Sequence, residues 1–371
     1  MGGNNVILQF IIISFLFPVK IFGYDLRLIA YLILTFGILI GIITGKDKVY
    51  NKNIIAISFV FVTYTFVSIS FHINFEVFVV QRTLRFFLSN VLLITYFSFN
   101  EFEYREIEKC IENAILLHIV VIYIELIYPT SKLLIKNILG FRSPILPLRC
   151  YGLSDGYDSA GFLINIYYLI NVIKNKRTRL IVLLYTTIAC FFVSRFSLLI
   201  NILLAIYYFL SNINKKRAII ELIVILFLCA GLIPVFRQIM QSIQYLDSYA
   251  FSTIDLLLHG MIVFPDSLSS LMFGVSVRPN VYGKPSDIGY INIIFMYGVV
   301  GLIIIIFYYL LIIRKSIIGP KSEKNTALYY SALLMFIFNY KILVMSSSIF
   351  TELLLFILLS RGDYEKFDQR L

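Results

Sequence analysis

Several basic residues of this chain stand close to the ends of long apolar segments, where a charged side chain is unexpected. The planar guanidinium group binds phosphate oxygens through two parallel hydrogen bonds. If such groups gather at the depth of lipid headgroups, they would bind a lipid-linked diphosphate and stabilise it as a leaving group. The candidate residues for this chemistry are Arg82, Arg85, Arg149, Arg195, Arg278 and Lys341.

Arg82 and Arg85 lie inside an apolar segment, three residues apart, which predicts that they share one face of a helix. Arg82 would lie about 8 Å below the outer end of that helix, at 1.5 Å per residue. A buried arginine costs several kcal/mol unless it is paired or hydrated, so the pair could form an anion site. The alternative is that both side chains snorkel to the headgroups with help from Glu76.

The other arginines occupy turns. Arg195 follows Ser194 between two closely spaced apolar segments, and its alternative role is an interfacial anchor. Arg149 and Arg278 lie in loops, where a solvated charge is the ordinary expectation. Their shared position at one end of the apolar segments is what suggests a common anion site.

Asp287 is the candidate general base, because it stands at the start of an apolar segment and a carboxylate can accept a proton from a sugar hydroxyl. The alternative is that Ser286 or Asp287 caps the following helix. Tyr290 and His259 are further candidates for binding the acceptor, that is, the molecule whose hydroxyl would lose its proton to Asp287. His259 is also consistent with a surface histidine.

The remaining polar residues in apolar segments predict neither a metal site nor a cofactor site. His72 and His118 are isolated, and the four cysteines show no metal-ligand or disulfide spacing. Glu125 and Glu352 could each pair with an arginine. No phosphate-binding glycine loop, dinucleotide motif or catalytic triad motif occurs.

The elements that must position these residues are transmembrane helices. Hydrophobic residues make up 60% of the chain and charged residues 14%, with a mean hydropathy of +0.88. Such a composition excludes a soluble protein, and the apolar blocks have the length of membrane-spanning helices. The sequence predicts a single all-α integral membrane domain over residues 1–371, with about twelve spans. They are 6–22, 26–44, 54–71, 77–99, 111–128, 159–173, 180–194, 196–210, 218–234, 287–313, 326–340 and 345–360.

The distribution of basic residues predicts that both termini are cytoplasmic. With that orientation 19 of the 32 Lys and Arg residues face the cytoplasm and 11 face outward, in agreement with the positive-inside rule. The net charge of +11 is therefore interpreted as orientation, not as nucleic-acid binding. Two large loops, 129–158 and 235–286, then face outward, and the second has helical apolar spacing at 254–262 that predicts an amphipathic helix. Long outer loops favour function on that side.

The motifs of the outer loops resemble those of the Wzy-type O-antigen polymerases, within the superfamily of O-antigen ligases and polymerases. The resemblance covers Arg149-Cys-Tyr-Gly-Leu-Ser-Asp155 with Gly161, and Ser194-Arg195. It continues with Leu271-Met-Phe-Gly-Val-Ser276, Ser286-Asp-Ile-Gly-Tyr-Ile-Asn292 and Tyr297-Gly-Val-Val-Gly301. Arg278 and Gly289 also have ten residues between them, as in some members, whereas Ala160 stands where the spacing from Arg149 would require Gly.

The resemblance implies a membrane glycosyltransferase fold (GT-C-like) in the cell inner membrane that needs neither metal nor nucleotide sugar. It implies that undecaprenyl-diphosphate-linked repeat units are joined on the periplasmic face and that undecaprenyl diphosphate is released. Arg195, Arg278 and Asp287 would be catalytic, and the remaining basic residues would bind the diphosphate. A chain-length regulator protein would be a partner.

Two alternatives remain from the sequence. A ligase that transfers the polysaccharide to lipid A core would share the fold, although ligases of the superfamily usually carry His where this chain has Asp287. A flippase for lipid-linked oligosaccharides would also have about twelve spans, but it should show related halves, a central basic path and short outer loops.

Overall fold

A computed structural model shows an all-α protein whose helices are built from the apolar segments of the sequence. The structure describes residues 3–17, 20–21, 24–45, 51–72, 74–140, 145, 149–154, 156–174, 179–211, 223, 261–284, 286–341, 343 and 348–361. The first helices are α1 (Gly3–Leu16), α2 (Leu26–Ile43), α3 (Lys52–Ser70), α4 (Val77–Phe99), α5 (Tyr104–Ile127), α6 (Ser131–Leu139) and α7 (Tyr157–Lys174). The next are α8 (Arg179–Val193), α9 (Arg195–Ser211), α10 (Leu268–Phe273), α11 (Gly289–Ile318), α12 (Glu323–Lys341) and α13 (Ser348–Leu359).

Within the described residues, five helices are long and apolar enough to cross a membrane: α2, α3, α4, α5 and α11. Parts of α1, α8, α9 and α13 form shorter apolar helices. Large apolar side chains such as Leu32 and Phe36 of α2 are exposed, as expected for a surface that contacts lipid. The chain is therefore a helical membrane protein, and the number of twelve spans stays a prediction.

The predicted segments agree with helices in most places, but two differ clearly in extent: α1, and α5, which begins at Tyr104 instead of residue 111. The first helix ends at Leu16 instead of residue 22, because the sequence places Pro18 there, and proline disfavours a helical residue before it. A two-residue antiparallel pair, Lys20–Ile21 with Tyr24–Asp25, then leads into α2. The predicted span 218–234 lies outside the described residues apart from Ile223.

The two predicted outer loops are described only in part. Helix α6 lies in the first loop and exposes Leu133, Leu134 and Ile138, a pattern typical of a helix at the membrane surface. The predicted amphipathic helix at 254–262 lies outside the described residues except for Met261 and Ile262, which are not helical.

Helices α2 and α4 pack closely and run parallel. Tyr31 lies beside Ser89, Gly37 beside Tyr96 and Gly41 beside Phe99, so contacts advance together along both helices. A Cβ atom on Gly37 would stand 2.3 Å from the Tyr96 ring, which explains why glycine is needed at this crossing. Because α2 and α4 run in the same direction, α3, which connects them in sequence, must run in the opposite direction, as the predicted topology requires.

Helices α7, α9, α12 and α13 meet through aromatic side chains. The Phe162 ring of α7 has its centroid 5.1 Å from that of Phe338 of α12 and 4.4 Å from that of Phe350 of α13. Phe196, at the start of α9, lies 5.2 Å from Phe338. The N-terminal ends of α7 and α9 are thereby joined to the C-terminal end of α12, which carries Lys341.

Candidate functional site

Arg82 and Arg278 meet at one aromatic ring although they are almost two hundred residues apart in sequence. The guanidinium carbon of Arg82 lies 5.4 Å from the centroid of the Phe78 ring, and that of Arg278 lies 4.6 Å from it. Arg82 also donates a hydrogen bond of 2.9 Å to the carbonyl of Leu343, beyond the end of α12. The side chain that the sequence placed inside a span is thus half-buried among three separate parts of the chain.

Arg278 also forms an ion pair with Glu76, the residue before α4. Its Nη2 lies 2.5 Å from Glu76 Oε1, its Nε donates to the same oxygen at 2.7 Å, and its backbone N–H donates to Oε2 at 3.0 Å. The backbone N–H of Glu76 donates in turn to the carbonyl of Ser276 at 2.9 Å. In the snorkelling alternative Glu76 would assist Arg82 and Arg85; in the structure it pairs with Arg278 and fixes the second outer loop against α4.

Arg85 lies near Arg82 but belongs to a different charge cluster. Its side chain is exposed, and its charge acts on Asp25 and on Glu352. Glu352 is fully buried in α13 and accepts a hydrogen bond from Ser89. Arg27 and Arg85 both act electrostatically on Glu352, and the pairing of Glu352 with an arginine stays a prediction.

Arg149 and Arg195 form the second pair of arginines. They lie close enough for the charge of Arg149 to act on that of Arg195, which is the first residue of α9. The guanidinium carbon of Arg149 is 5.2 Å from the centroid of the Tyr157 ring, at the start of α7. Beside them, the hydroxyl of Ser194 donates a hydrogen bond to Asp158. Two like charges held together in this way are the feature expected of an anion site.

Both pairs lie at the same end of the helix bundle. Phe338 of α12 contacts α7 and α9; Arg195 begins α9, and Arg149 lies over Tyr157 at the start of α7. Leu343, five residues after Phe338, accepts a hydrogen bond from Arg82. Lys341 lies between these two points, half-buried at the end of α12. Arg82, Arg195 and Lys341 therefore lie near the C-terminal end of α12. Arg278 and Arg149 are joined to this end of the bundle through the Phe78 and Tyr157 rings, whereas Arg85 belongs to the separate cluster with Asp25 and Glu352.

Asp287 is exposed beside the start of α11, and it does not cap that helix. The N-cap residue is Ile288, without a side-chain cap, so the prediction that Asp287 or Ser286 is the cap residue is wrong. The Ser286 hydroxyl still accepts from the Ile288 N–H at 3.3 Å and donates to the carbonyl of Met261 at 2.7 Å. Ser286 therefore ties the loop down and leaves the Asp287 carboxylate facing outward.

The two other acceptor candidates have different outcomes. The Tyr290 hydroxyl donates a hydrogen bond of 2.8 Å to the carbonyl of Phe336, which joins α11 to α12. This contact gives Tyr290 a structural role in holding the two helices together. His259 lies outside the described residues.

Sequence reasoning missed a joint between two of the quoted motifs. Gly274 follows α10 and Gly298 interrupts α11, and both adopt an extended conformation at positive φ (83° and 68°) that is essentially confined to glycine. A Cβ on Gly298 would lie 2.2 Å from the carbonyl oxygen of Met272 and 2.5 Å from the N–H nitrogen of Gly274. The signal was present in the sequence as one glycine in each motif, but nothing there showed that they touch.

Backbone carbonyls near the break in α11 accept hydrogen bonds from other parts of the chain. The N–H of Val275 donates to the carbonyl of Phe295 at 2.7 Å, and the Tyr64 hydroxyl donates to that of Tyr297 at 2.7 Å. Inside a bilayer such groups must be bonded within the protein. The joint therefore fixes the loop that carries Arg278 to the core of the bundle.

Among the described residues there is no group of three or more His, Cys, Asp or Glu side chains that could hold a metal ion. No protein-family model matches the chain, and comparison with curated proteins finds no match. The resemblance to O-antigen polymerases therefore rests on the short motifs quoted above, and the site is judged on its own geometry.

Proposed function

We propose that this protein is an O-antigen polymerase of the inner membrane, with both termini in the cytoplasm and its active site on the periplasmic face. It would join undecaprenyl-diphosphate-linked oligosaccharide units into a long polysaccharide. The observation that supports this most strongly is the pair Arg149 and Arg195, two guanidinium groups within electrostatic reach of each other, one from the segment before α7 and one at the start of α9. Two neighbouring guanidinium groups can bind one anion between them.

The chemistry of the arginine pairs suits a diphosphate. A lipid diphosphate presents several oxygens at headgroup depth, and guanidinium groups can bind them in a bidentate manner. Arg149 and Arg82 lie over aromatic rings, which hold the charge in place through the ring face. The same fixed charges would stabilise the diphosphate more strongly as negative charge develops on it during bond cleavage.

The proposed reaction transfers a sugar chain between two lipid-linked molecules. A hydroxyl of the new repeat unit attacks the anomeric carbon of the growing chain, and the bond from that carbon to the diphosphate oxygen breaks. The hydroxyl proton passes to Asp287, and undecaprenyl diphosphate leaves. Arg195 and Arg278 would stabilise the leaving group, with Arg82, Arg85, Arg149 and Lys341 as further basic residues around it.

The direct test is to incubate the purified protein with a lipid-linked repeat unit and to separate the products by chain length. A ladder of polymers is expected from the unaltered protein. Arg195→Ala and Arg278→Ala should abolish long chains while the protein remains in the membrane. Arg314→Ala, which removes an exposed arginine from the opposite end of α11, is the matched control and should leave the ladder unchanged. A normal ladder from both site variants would show that the proposed site is wrong.

Deletion of the gene separates the polymerase from a ligase. Cells that lack a polymerase should carry lipid A core with one repeat unit, whereas cells that lack a ligase should carry bare core. Bare core would therefore contradict the proposal and support the ligase alternative.

A further inference from the structure

The segment Arg149–Ser154 runs inside the protein, although it belongs to a predicted outer loop. Cys150 and Tyr151 have no exposed surface, and Ser154 has 1%. The segment is not helical, so its backbone N–H groups have no partners within the segment itself, apart from one turn bond from Ser154 to Tyr151. Buried N–H groups that lack an acceptor cost about 1–3 kcal/mol each, so acceptors must come from elsewhere.

Four consecutive N–H groups of this segment find acceptors on neighbouring helices. The Cys150 N–H donates to the carbonyl of Phe192, near the end of α8, at 2.9 Å. The Tyr151 and Gly152 N–H groups both donate to one carboxylate oxygen of Glu125, at 2.6 and 3.2 Å. The Leu153 N–H donates to Nδ1 of His118 at 2.8 Å.

Glu125 and His118 are suited to this task because both lie on α5, seven residues apart and hence on the same face. Both side chains are completely buried. The carbonyls of a helix interior already accept the hydrogen bonds of the helix itself, so side chains such as these supply additional acceptors on the helix wall. His118 must be neutral, with its proton on Nε2, in order to accept at Nδ1.

Surrounding contacts leave little freedom to the segment. The imidazole ring of His118 is stacked on Phe17, with centroids 5.2 Å apart and planes at 21°. Gly152 has φ of 60°, and a Cβ there would lie 2.6 Å from the imidazole ring. A glycine is therefore required where the backbone passes over the histidine.

The fixed backbone determines the position of Arg149. Tyr151 is stacked on Tyr157, with ring centroids 4.8 Å apart, and the guanidinium group of Arg149 lies over the same Tyr157 ring. We propose that Glu125 and His118 are positioning residues, which anchor the backbone of residues 151–153 and thereby hold Arg149 at the site next to Arg195. The anchoring follows from the contacts above, and the consequence for catalysis rests on the proposed function.

The native thiol of Cys150 offers a test of the anchoring that does not require activity. In a Cys110→Ser, Cys190→Ser, Cys229→Ser background, the buried thiol should react slowly with a maleimide. Glu125→Ala removes the acceptor of two N–H groups and should increase the labelling rate at least about tenfold, since each lost acceptor disfavours the closed segment. Glu125→Gln keeps an amide oxygen that can accept both bonds and should restore protection.

Two controls separate local release from loss of the fold. Cys190 is also fully buried, so in a background that retains it alone, Glu125→Ala should leave it protected. Glu352→Ala removes another buried carboxylate, one that accepts from a serine hydroxyl instead of the backbone, and should leave Cys150 protected. Equal labelling of Cys150 in the Ala and Gln variants, or rapid labelling of the unaltered protein, would overturn the proposal.

Kinetics test the link to Arg149. Glu125→Ala should raise KM for the lipid-linked donor as Arg149→Ala does, and the double variant should be no worse than Arg149→Ala, because both changes remove the same contact. Additive losses would contradict the positioning role. If Cys150 is released as expected but Arg149→Ala leaves KM unchanged, the anchoring holds and the proposed donor-binding role of Arg149 fails.

Discussion

Arg82, Arg149 and Arg278 each lie over an aromatic ring, and this arrangement has a consequence for binding. A ring face attracts the guanidinium group without consuming its N–H donors, so these donors remain able to bind oxygens of a ligand. Two of these arginines also bind groups of the protein: Arg82 donates to the carbonyl of Leu343, and Arg278 pairs with Glu76. Mutation distinguishes a catalytic role of Arg278 from a structural one.

Replacing Glu76 and replacing Arg278 should have different effects on polymerisation. The Arg278 side chain is 45% exposed, so the pair contributes only about 0–1 kcal/mol to stability. Glu76→Gln, which keeps an oxygen acceptor, should change both stability and polymerisation little. Arg278→Ala should abolish long chains at nearly unchanged melting temperature. Equal loss of polymer in both variants would show that Arg278 acts only by holding its loop to α4.

A second ion pair should determine the response to acid. Burial raises the pKa of Asp25, but the hydrogen bonds and charge of Arg27 outweigh this effect and hold the pKa below its ordinary value of 3.8. A lowered pKa in the folded state means that the pair stabilises the protein fully above about pH 4 and that this contribution is lost as the pH falls through the folded pKa. Asp25→Asn removes the carboxylate that pairs with Arg27, whose side chain is only 8% exposed.

We therefore expect Asp25→Asn to destabilise the protein by about 3 kcal/mol at pH 7, with a smaller difference from the unaltered protein below pH 4. Melting temperatures of the variant and of the unaltered protein in detergent, at pH 7 and below pH 4, measure this difference in stability. Asp266→Asn is the control, because Asp266 pairs with Lys284 on the exposed surface and such a pair contributes little. A similar shift for the two variants would contradict the special role of the buried pair.

The interrupted helix α11 is the element that organises the outer side of the bundle. Gly274 packs directly against the break at Gly298. This contact fixes the loop between α10 and α11, which carries Arg278 and Asp287. Broken helices occur in membrane proteins where other protein groups satisfy the freed backbone, which Val275 and Tyr64 do here. We infer that the break serves to present a loop at a fixed depth.

Gly298→Ala should disrupt this joint. Its backbone conformation is strained for any other residue by about 1–3 kcal/mol, and the added Cβ would also collide with the backbone of residues 272 and 274. Gly45→Ala is a matched control: its φ of 64° is similar, but no atom lies within 4 Å of the added Cβ, so only about 1–2 kcal/mol is expected. Thermal unfolding in detergent measures the loss of stability in both variants. Equal losses would exclude a contribution from the contact between Gly298 and Gly274.

On the predicted topology the whole chain is asymmetric across the membrane, with the arginine pairs at one end and most short basic loops at the other. This asymmetry predicts the orientation, because short basic loops are retained in the cytoplasm. The two pairs then face outward, where a lipid-linked substrate that has already crossed the membrane would reach them.

Fusions of alkaline phosphatase, which is active only outside the cytoplasm, test that orientation. A fusion after Gly140, beyond α6, should be active, whereas fusions after Gly319 and after Arg361 should be inactive. Activity at residue 319 or 361 would reverse the topology and move the arginine pairs to the cytoplasmic side.

Most helices and the candidate arginines could be predicted from sequence, since hydropathy and charge are local properties. The end of α1, the helix α6 and the break in α11 were not predicted in their observed form. The break depends on Gly274 and Gly298 touching, and these residues are separated by a loop whose path no local pattern reveals. Glu125 illustrates the same limit: it was expected near an arginine, and it binds backbone N–H groups instead.

The amino-acid sequence by itself determined that the chain enters a membrane as apolar helices and which charges resist burial, because transfer from water to lipid depends on each segment alone. Only the tertiary structure decided which arginines become neighbours and what holds them there. Those neighbours come from segments far apart in the chain, and their proximity depends on packing between helices, on shared rings such as Phe78 and on buried acceptors such as Glu125.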